Sequence, residues 1–432
     1  MALKILIIGA GVCGPALALL LRRASAASHE ITVVERAPCL RQTGLQIDLR
    51  AQGIAVVRKL GLTDAVREAV VSEAGFTIVD ADGKQRAVFG KNESGRGQQS
   101  FTSEFEIMRG DLVGVFYRAS LEERKEETTQ SGGSTVHYEF DRSVTDLTQD
   151  DTGATATFSD GTTRSYDLVV GADGQRSRTR RMVLGSQAAS DATFRSLRLF
   201  IAYFTIPRAA DDNDLAKWFS APGSRGIMVR SGANQPRTQI YLAKHVDSEH
   251  GPEAAELRAC LKEPAAAQMD AFARLFDGAG WQTERFLREM RADPDFYAQE
   301  IGQVKGCQLT RGRVALVGDA GYTPSPITGM GTTLALTGAY VLAGELARHG
   351  GDVEAALKGY ERVMRPFVDE AQKLPPGAPG ILYMKSKWGV GVFNSIATWV
   401  SWLGIDKLVN QMMPEDKGGL KIPEYPKLDL LP

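Results

Sequence analysis

Histidine and cysteine are scarce in this chain, and neither is spaced for chemistry of its own. The five histidines are scattered, none in a metal spacing such as H-x-x-x-H, so no histidine metal site is expected. The four cysteines, Cys13, Cys39, Cys260 and Cys307, form no CxxC pair and no regular framework. That points to a reducing, cytoplasmic setting and against structural zinc. A formal net charge of -1 leaves no basic excess for nucleic acid. No internal repeat, long low-complexity region or Ser-His-Asp constellation is visible.

Uncharged runs are also few. Ile5 to Leu21 is one, followed by Arg22-Arg23-Ala24-Ser25-Ala26, and a signal peptide is the plain alternative for it. Three glycines at the spacing of a phosphate turn favour another reading. The second run, Trp388 to Ile405, has the length of a membrane helix. Its three glycines and Asn394, Ser395, Thr398 and Ser401 favour peripheral packing against the body.

The chain opens as a βαβ unit: a short aliphatic strand at Leu3–Ile8, a helix from Pro15, and a strand at Ile31–Val34. Helices are expected over Ile54–Leu60, Thr63–Val70 and from Met108. A hairpin is expected around Asp82-Gly83. Residues 135 to 169 carry short β runs that end at Asp167-Leu168-Val169-Val170. Between roughly 186 and 300 the pattern shifts to an antiparallel β layer with helices at Glu253–Cys260 and Ala265–Phe276. Arg313–Val317 returns to the buried-strand type, and Thr332–Arg348 reads as a long helix.

Three stretches carry chemistry. Gly9-Ala10-Gly11-Val12-Cys13-Gly14 joins the first strand to the first helix. Gly9 allows the tight turn, Gly11 lets the backbone approach a pyrophosphate, and Gly14 permits close helix packing. The helix N-terminus offers free N–H groups to phosphates. Glu35, 21 residues past Gly14, ends the second strand, where a carboxylate accepts ribose hydroxyls. Arg36 is grouped with it. The second stretch is Asp167 to Arg178 around Gly171-Ala172-Asp173-Gly174. The third is Arg313 to Ala320, with Gly318-Asp319-Ala320, running on through Pro324 and Gly329-Met330-Gly331. Taken singly, each has a plain structural alternative as a glycine-rich turn or loop.

In this order, the three stretches resemble the single-component FAD-dependent monooxygenases, the group of the aromatic hydroxylases and tetracycline-inactivating enzymes. The resemblance covers roughly residues 1 to 370 and is thin across 186 to 300. It implies that Asp319 accepts a hydrogen bond from the FAD ribityl chain. Pro324, Gly329, Met330 and Gly331 would pass the flavin ring and open a helix whose N-terminus stabilises charge on the reduced ring. Asp173 would meet the FAD side and help organise nicotinamide entry, with Arg178 serving a nucleotide phosphate or the fold. Arg109 would reach the phosphate and ribityl region, or stand as a surface helix arginine. Cys13 completes the cofactor candidates. Gln46, Asp48 and Arg50 would face the flavin or the substrate, or hold plain loop roles; they are the only catalytic candidates, because the hard chemistry is the cofactor's. At Tyr322 the chain departs from the histidine common in the group.

The expected fold is α/β: a Rossmann-like FAD-binding domain with an inserted, mostly antiparallel β-sheet substrate domain and a C-terminal helical segment. The FAD-binding domain takes residues 1–72, 104–185 and 301–374, the substrate domain 73–103 and 186–300, and the last segment 375–432. Phe200, Tyr203, Phe204, Trp218, Met228 and Tyr241 are the pocket candidates. The implied activity is an NAD(P)H- and O2-dependent monooxygenation through a flavin C4a-hydroperoxide, giving hydroxylation or epoxidation of an aromatic or polyketide-like small molecule. No second GxGxxG exists, so NADPH or NADH would bind transiently. A flavin oxidase or dehydrogenase of the same fold, and a flavin-free binding protein, remain the alternatives.

Overall fold

The computed structural model describes residues 2–24, 28–41, 44–90, 105–122, 133–210, 212–403, 420–428 and 430–431. Its first sheet has six strands, in the order Thr310–Arg311, Val314–Leu316, Leu168–Gly171, Lys4–Ile8, Glu30–Val34, Thr135–Glu139. All neighbours are parallel except the Thr310–Arg311 edge. Strands in such a sheet are covered on both faces, which is why these segments read as unbroken aliphatic runs.

The period of two sorts their side chains. Ile5, Ile7, Ile31, Val33, Leu168 and Val170 pack under the helices Cys13–Arg22, Arg109–Leu121 and Gly331–Arg348. Leu6, Ile8, Val34 and Val169 face a small antiparallel sheet through Val144, Ala154 and Phe158. The helix Cys13–Arg22 is buried from Cys13 to Leu21, which explains its lack of charge. The apolar run at the start is therefore a core βα unit.

The second sheet has seven strands, in the order Tyr297–Val304, Phe194–Pro207, Arg237–His245, Arg225–Arg230, Leu215–Ala221, Gly75–Val79, Gln85–Gly90. The one parallel pair joins Leu215–Ala221 to Gly75–Val79. Thus the Asp82-Gly83 hairpin shares a sheet with strands well over a hundred residues downstream. The strand Tyr297–Val304 crosses the boundary expected at residue 300.

One face of this sheet is closed by helices Pro252–Cys260, Ala265–Phe276 and Thr283–Met290. Phe200 and Phe204 belong to that face, packed with Phe272, Phe276 and Phe286. Both were expected at a pocket. The run 197–206 is apolar on both faces, so the sequence could not assign the parity, and the structure makes both rings core.

A helix not anticipated above, Val353–Ala371, packs along Gly331–Arg348 through Leu357, Tyr360, Met364 and Phe367. The described residues of the C-terminal region comprise a helix and an irregular segment. Helix Lys387–Trp402 lies against the strands Gln85–Gly90 and Leu215–Ala221, and no described helix is long and apolar enough to cross a membrane. Residues 420–428 instead return to the first domain as an irregular strap. There the Tyr425 hydroxyl donates to Glu345 Oε1 at 2.7 Å, and Tyr340 donates to Pro423 O at 2.8 Å.

Candidate active site

The carboxyl ends of Lys4–Ile8, Leu168–Gly171 and Val314–Leu316 are neighbours in the parallel sheet, so the three glycine–acid turns leave it side by side. Ligands of open α/β sheets bind at such an edge. The turns touch one another. A Cβ on Gly9 would stand 2.7 Å from Ala172 O, and one on Gly14 only 2.0 Å from Gly9 O. A Cβ on Gly318 would lie 3.6 Å from Cys13 Sγ. Buried Arg180 donates to Gln175 O and to Ala320 O, both at 2.8 Å, tying the second stretch to the third. The sequence singled out Arg178, which is exposed; Arg180 is the arginine that holds the motifs together.

The fit to a dinucleotide rests on what this edge leaves open. Helix Cys13–Arg22 has no side-chain cap and no acid in its first turn, so its N–H groups face outward unsatisfied by side chains. Helix Gly331–Arg348 starts the same way. A Cβ on Gly331 would meet nothing within 4 Å, and one on Gly11 only the Arg109 guanidinium at 3.4 Å. Arg109 is exposed; its backbone N–H donates to Leu45 O at 2.9 Å, and its guanidinium has no hydrogen-bond partner among the described residues.

Asp319 is accessible to solvent yet densely surrounded by protein, the signature of a group lining a deep cleft. Burial raises its carboxyl above the usual range, against the pull of Arg109, the Thr323 hydroxyl and Arg180. Glu35 is held at the first turn: its Oε2 accepts from Ala10 N at 2.9 Å and its Oε1 from Ala37 N at 3.0 Å. Each oxygen retains a lone pair. Arg36 beside it is exposed.

Other candidates have different duties. The Asp173 carboxylate accepts from Ser177 Oγ, Arg178 N, Thr179 N and Thr179 Oγ1, at 2.5 to 3.1 Å. It anchors the start of helix Arg178–Leu184, so it acts as a positioning residue. Asp173→Ala is expected to cost about 0.5–2 kcal/mol of stability, as for loss of a helix cap, readable in urea unfolding. Cys13 is buried with Sγ 3.7 Å from Ala335 O, and burial pushes its thiol up. Pro324 is buried, its carbonyl taken by Gln303 Nε2 at 2.8 Å. Met330 precedes the helix Gly331–Arg348 and is packed against the core. Tyr322 points away from the cleft, its hydroxyl 3.1 Å from that of Tyr360.

Gln46, Asp48 and Arg50 lie in and beside the strand Gln46–Asp48. Asp48 and Arg50 form a 2.8 Å ion pair against Gly329, while Arg50 N and O both bond Thr333 Oγ1. This segment is thereby stitched to the helix that opens at Gly331. Gln46 is turned the other way, into a buried network. It donates to Glu106 at 2.5 Å, and Gln239 joins it at the Gln46 N–H and Oε1. Arg230 bridges Glu73 and Glu106, both at 2.7 Å. Two carboxyls face one guanidinium here. Burial, with Glu73 and Asp48 nearby, outweighs Arg230 and pushes the Glu106 carboxyl up to about 8. The rise favours the protonated form of Glu106. No local pattern announces this network, since its members are scattered from residue 46 to 239.

The network underlies the other face of the seven-stranded sheet, whose Trp218 end is covered by Tyr383 and by helix Lys387–Trp402. Tyr297, Tyr203, Tyr241, Met228 and Trp218 stand directly opposite one another across five strands. The Tyr203 ring is stacked 4.9 Å from Tyr297 and edge-on 5.1 Å from Tyr241. Four of these five were pocket candidates; Tyr297 was missed because only the strand register places it in the row. The Tyr241 hydroxyl donates to Gln239, which also bonds Gln46, so the row abuts the 46–50 segment.

A parallel sheet with an uncapped phosphate turn, a cleft acid and an adjoining aromatic layer defines a flavin-binding oxidoreductase. The chain belongs to the FAD-dependent monooxygenases of the aromatic hydroxylase type, with FAD as cofactor. A family model described as FAD binding domain matches residues 2–373. The chain is 43% identical to the FAD-dependent monooxygenase asL6 of Sarocladium schorii, covering 99% of each. It is 37% identical to the flavin-dependent monooxygenase eupH of Phoma sp, covering 98% of each. Among solved structures, the tetracycline destructase Tet(51) matches with TM-score 0.74 and 28% identity over 98% of this chain and 100% of that one.

Proposed function

We propose that this enzyme uses NAD(P)H and O2 to insert one oxygen atom into an aromatic or polyketide-like small molecule. The observation that carries the substrate class is the row Tyr297–Tyr203–Tyr241–Met228, an aromatic-rich floor beside the 46–50 segment. Flat, apolar rings suit an aromatic guest, and edge or stacked contacts orient it. Residues 1–72, 104–185 and 305–374 serve the cofactor, and 73–103 and 186–304 the substrate.

Bound FAD supplies electron transfer from NAD(P)H and activation of O2. The chain's own residues hold it. The N–H groups of Gly11 to Gly14 and Arg109 take the pyrophosphate, and Glu35 the adenosine ribose. Asp319 takes the ribityl chain. Gly329, Met330 and Gly331, with the following helix end, lie along the ring. Asp48 and Arg50 fix that loop, and the aromatic floor excludes water from the guest.

The test is NAD(P)H consumption. It should be slow without substrate, and accelerate with the right aromatic compound to give a product heavier by one oxygen. Peroxide formed in step with NAD(P)H for every compound would favour the oxidase alternative. Within this reading, Met228→Ala should raise the substrate KM about tenfold, the scale of lost pocket contacts, with flavin content unchanged. An unaltered KM would remove Met228 from the floor.

A further inference from the structure

Helix Lys387–Trp402 is apolar on two sides. Phe393 and Ala397 pack inward, and Ser401 Oγ contacts both Val88 N and Val88 O at 3.2 Å. The opposite side is exposed among the described residues. Trp388 is 80% exposed, Ile396 58%, Trp399 61%, Trp402 73% and Leu403 56%. Such a contiguous exposed apolar stripe marks a contact surface.

We infer that this face is a docking surface for an anionic phospholipid bilayer, with the helix lying in the plane of the interface. Three observations select the bilayer. First, tryptophans stand at both ends of the stripe, and tryptophan is the residue that anchors proteins at the headgroup level. Sixteen residues span about 24 Å, enough to lie along the surface and too short to cross it. Second, the polar side chains on the stripe are already satisfied within the helix. Ser395 Oγ donates to Gly391 O and Thr398 Oγ1 to Asn394 O, both at 2.8 Å, so burying them in the interface leaves no broken bond. A protein partner is normally fixed in register by polar or charged groups in its contact; along the middle of this face the hydroxyl donors of Ser395 and Thr398 are already used within the helix, whereas a bilayer needs no such groups. Third, the charge carried by the helix itself is complementary to anionic headgroups. Lys387 opens the helix and no carboxylate occurs from Ser386 to Leu403, while the neighbouring Lys385 is paired to Asp247 at 2.8 Å and adds no net charge. The inference is independent of the reaction proposed above.

Co-sedimentation with phosphatidylcholine vesicles containing phosphatidylglycerol tests it. The FAD-loaded full-length protein should pellet with the vesicles, with tryptophan emission shifting to the blue. The variant W388S/W399S/W402S should partition at least about tenfold more weakly. Its flavin content and thermal melting should match the parent, since all three side chains are exposed. A second variant, I396S/L403S, should weaken binding in the same direction. Failure of the parent to pellet, or equal pelleting of the variants, overturns the inference. A parent dimer that the tryptophan variant dissociates, without vesicle binding, overturns it in favour of a second copy of the chain.

Discussion

Asp319→Ala protein should bind FAD about ten- to a hundredfold more weakly than the parent while keeping its fold. Asp319 follows the strand Val314–Leu316 at the one place where the first helix, the third stretch and Arg109 meet. A hydrogen bond accepted by a charged group contributes about 1.5–3 kcal/mol, which converts to that range of affinity. The structural cost is small, because the side chain faces the cleft and is solvent-accessible. Asp319→Asn keeps an acceptor and should lose less. Titration of the apoprotein with FAD, followed by flavin fluorescence, reads all three. Equal affinity of parent and alanine variant would remove Asp319 from the cofactor site.

Arg230→Met should destabilise the fold by about 3–5 kcal/mol at neutral pH, the scale for removing one partner of a buried ion pair. Glu73 and Glu106 are each 1% exposed, and Arg230 is the cation between them. Without it the two carboxyls face one another, and the fold tolerates them best when protonated. The defect should therefore shrink as the pH falls.

The parent carries a related signature. The Glu106 carboxyl is raised from 4.5 to about 8 in the fold, so across that window the folded chain holds more proton than the unfolded one. Its contribution is complete below 4.5 and is lost as pH rises through 8. His29 acts in the opposite sense. Burial lowers it from 6.5 to about 4, so its contribution is present above 6.5 and lost as pH falls toward 4. From pH 6.5 to 8 the His29 contribution is complete while the Glu106 slope persists, and stability should decline. Glu106→Gln should flatten that decline and, by removing the opposing Glu106 slope, steepen the loss of stability between pH 6.5 and 4.5. Urea unfolding at several pH values decides it; a flat parent profile above pH 6.5 would contradict the raised Glu106 carboxyl.

What the sequence disclosed was local. The βαβ start, the Glu35 spacing and the two later acid turns each lie within one strand–turn segment, so residue order alone revealed them. Their convergence followed from the parallel sheet, whose strand ends are adjacent. What it hid depended on register and parity. Tyr203 and Phe200 look equivalent in an apolar run; only pairing with Tyr241 and Tyr297 puts one at the floor and the other under the helices. Arg178 and Arg180 differ by two positions, yet helix geometry buries the second and exposes the first. The Glu73–Arg230–Glu106 network joins three strand ends, and no window of sequence contains two of them. Thr43, part of the segment beside the expected ring, lies outside the described residues.

The central claim is that three distant turns form one cleft for one FAD. Flavin stoichiometry tests it most directly: protein made with ample riboflavin, denatured to release its chromophore, and assayed for FAD per chain. The account predicts one FAD per folded chain, released without covalent cleavage. A folded chain that stays colourless at saturating FAD would contradict it.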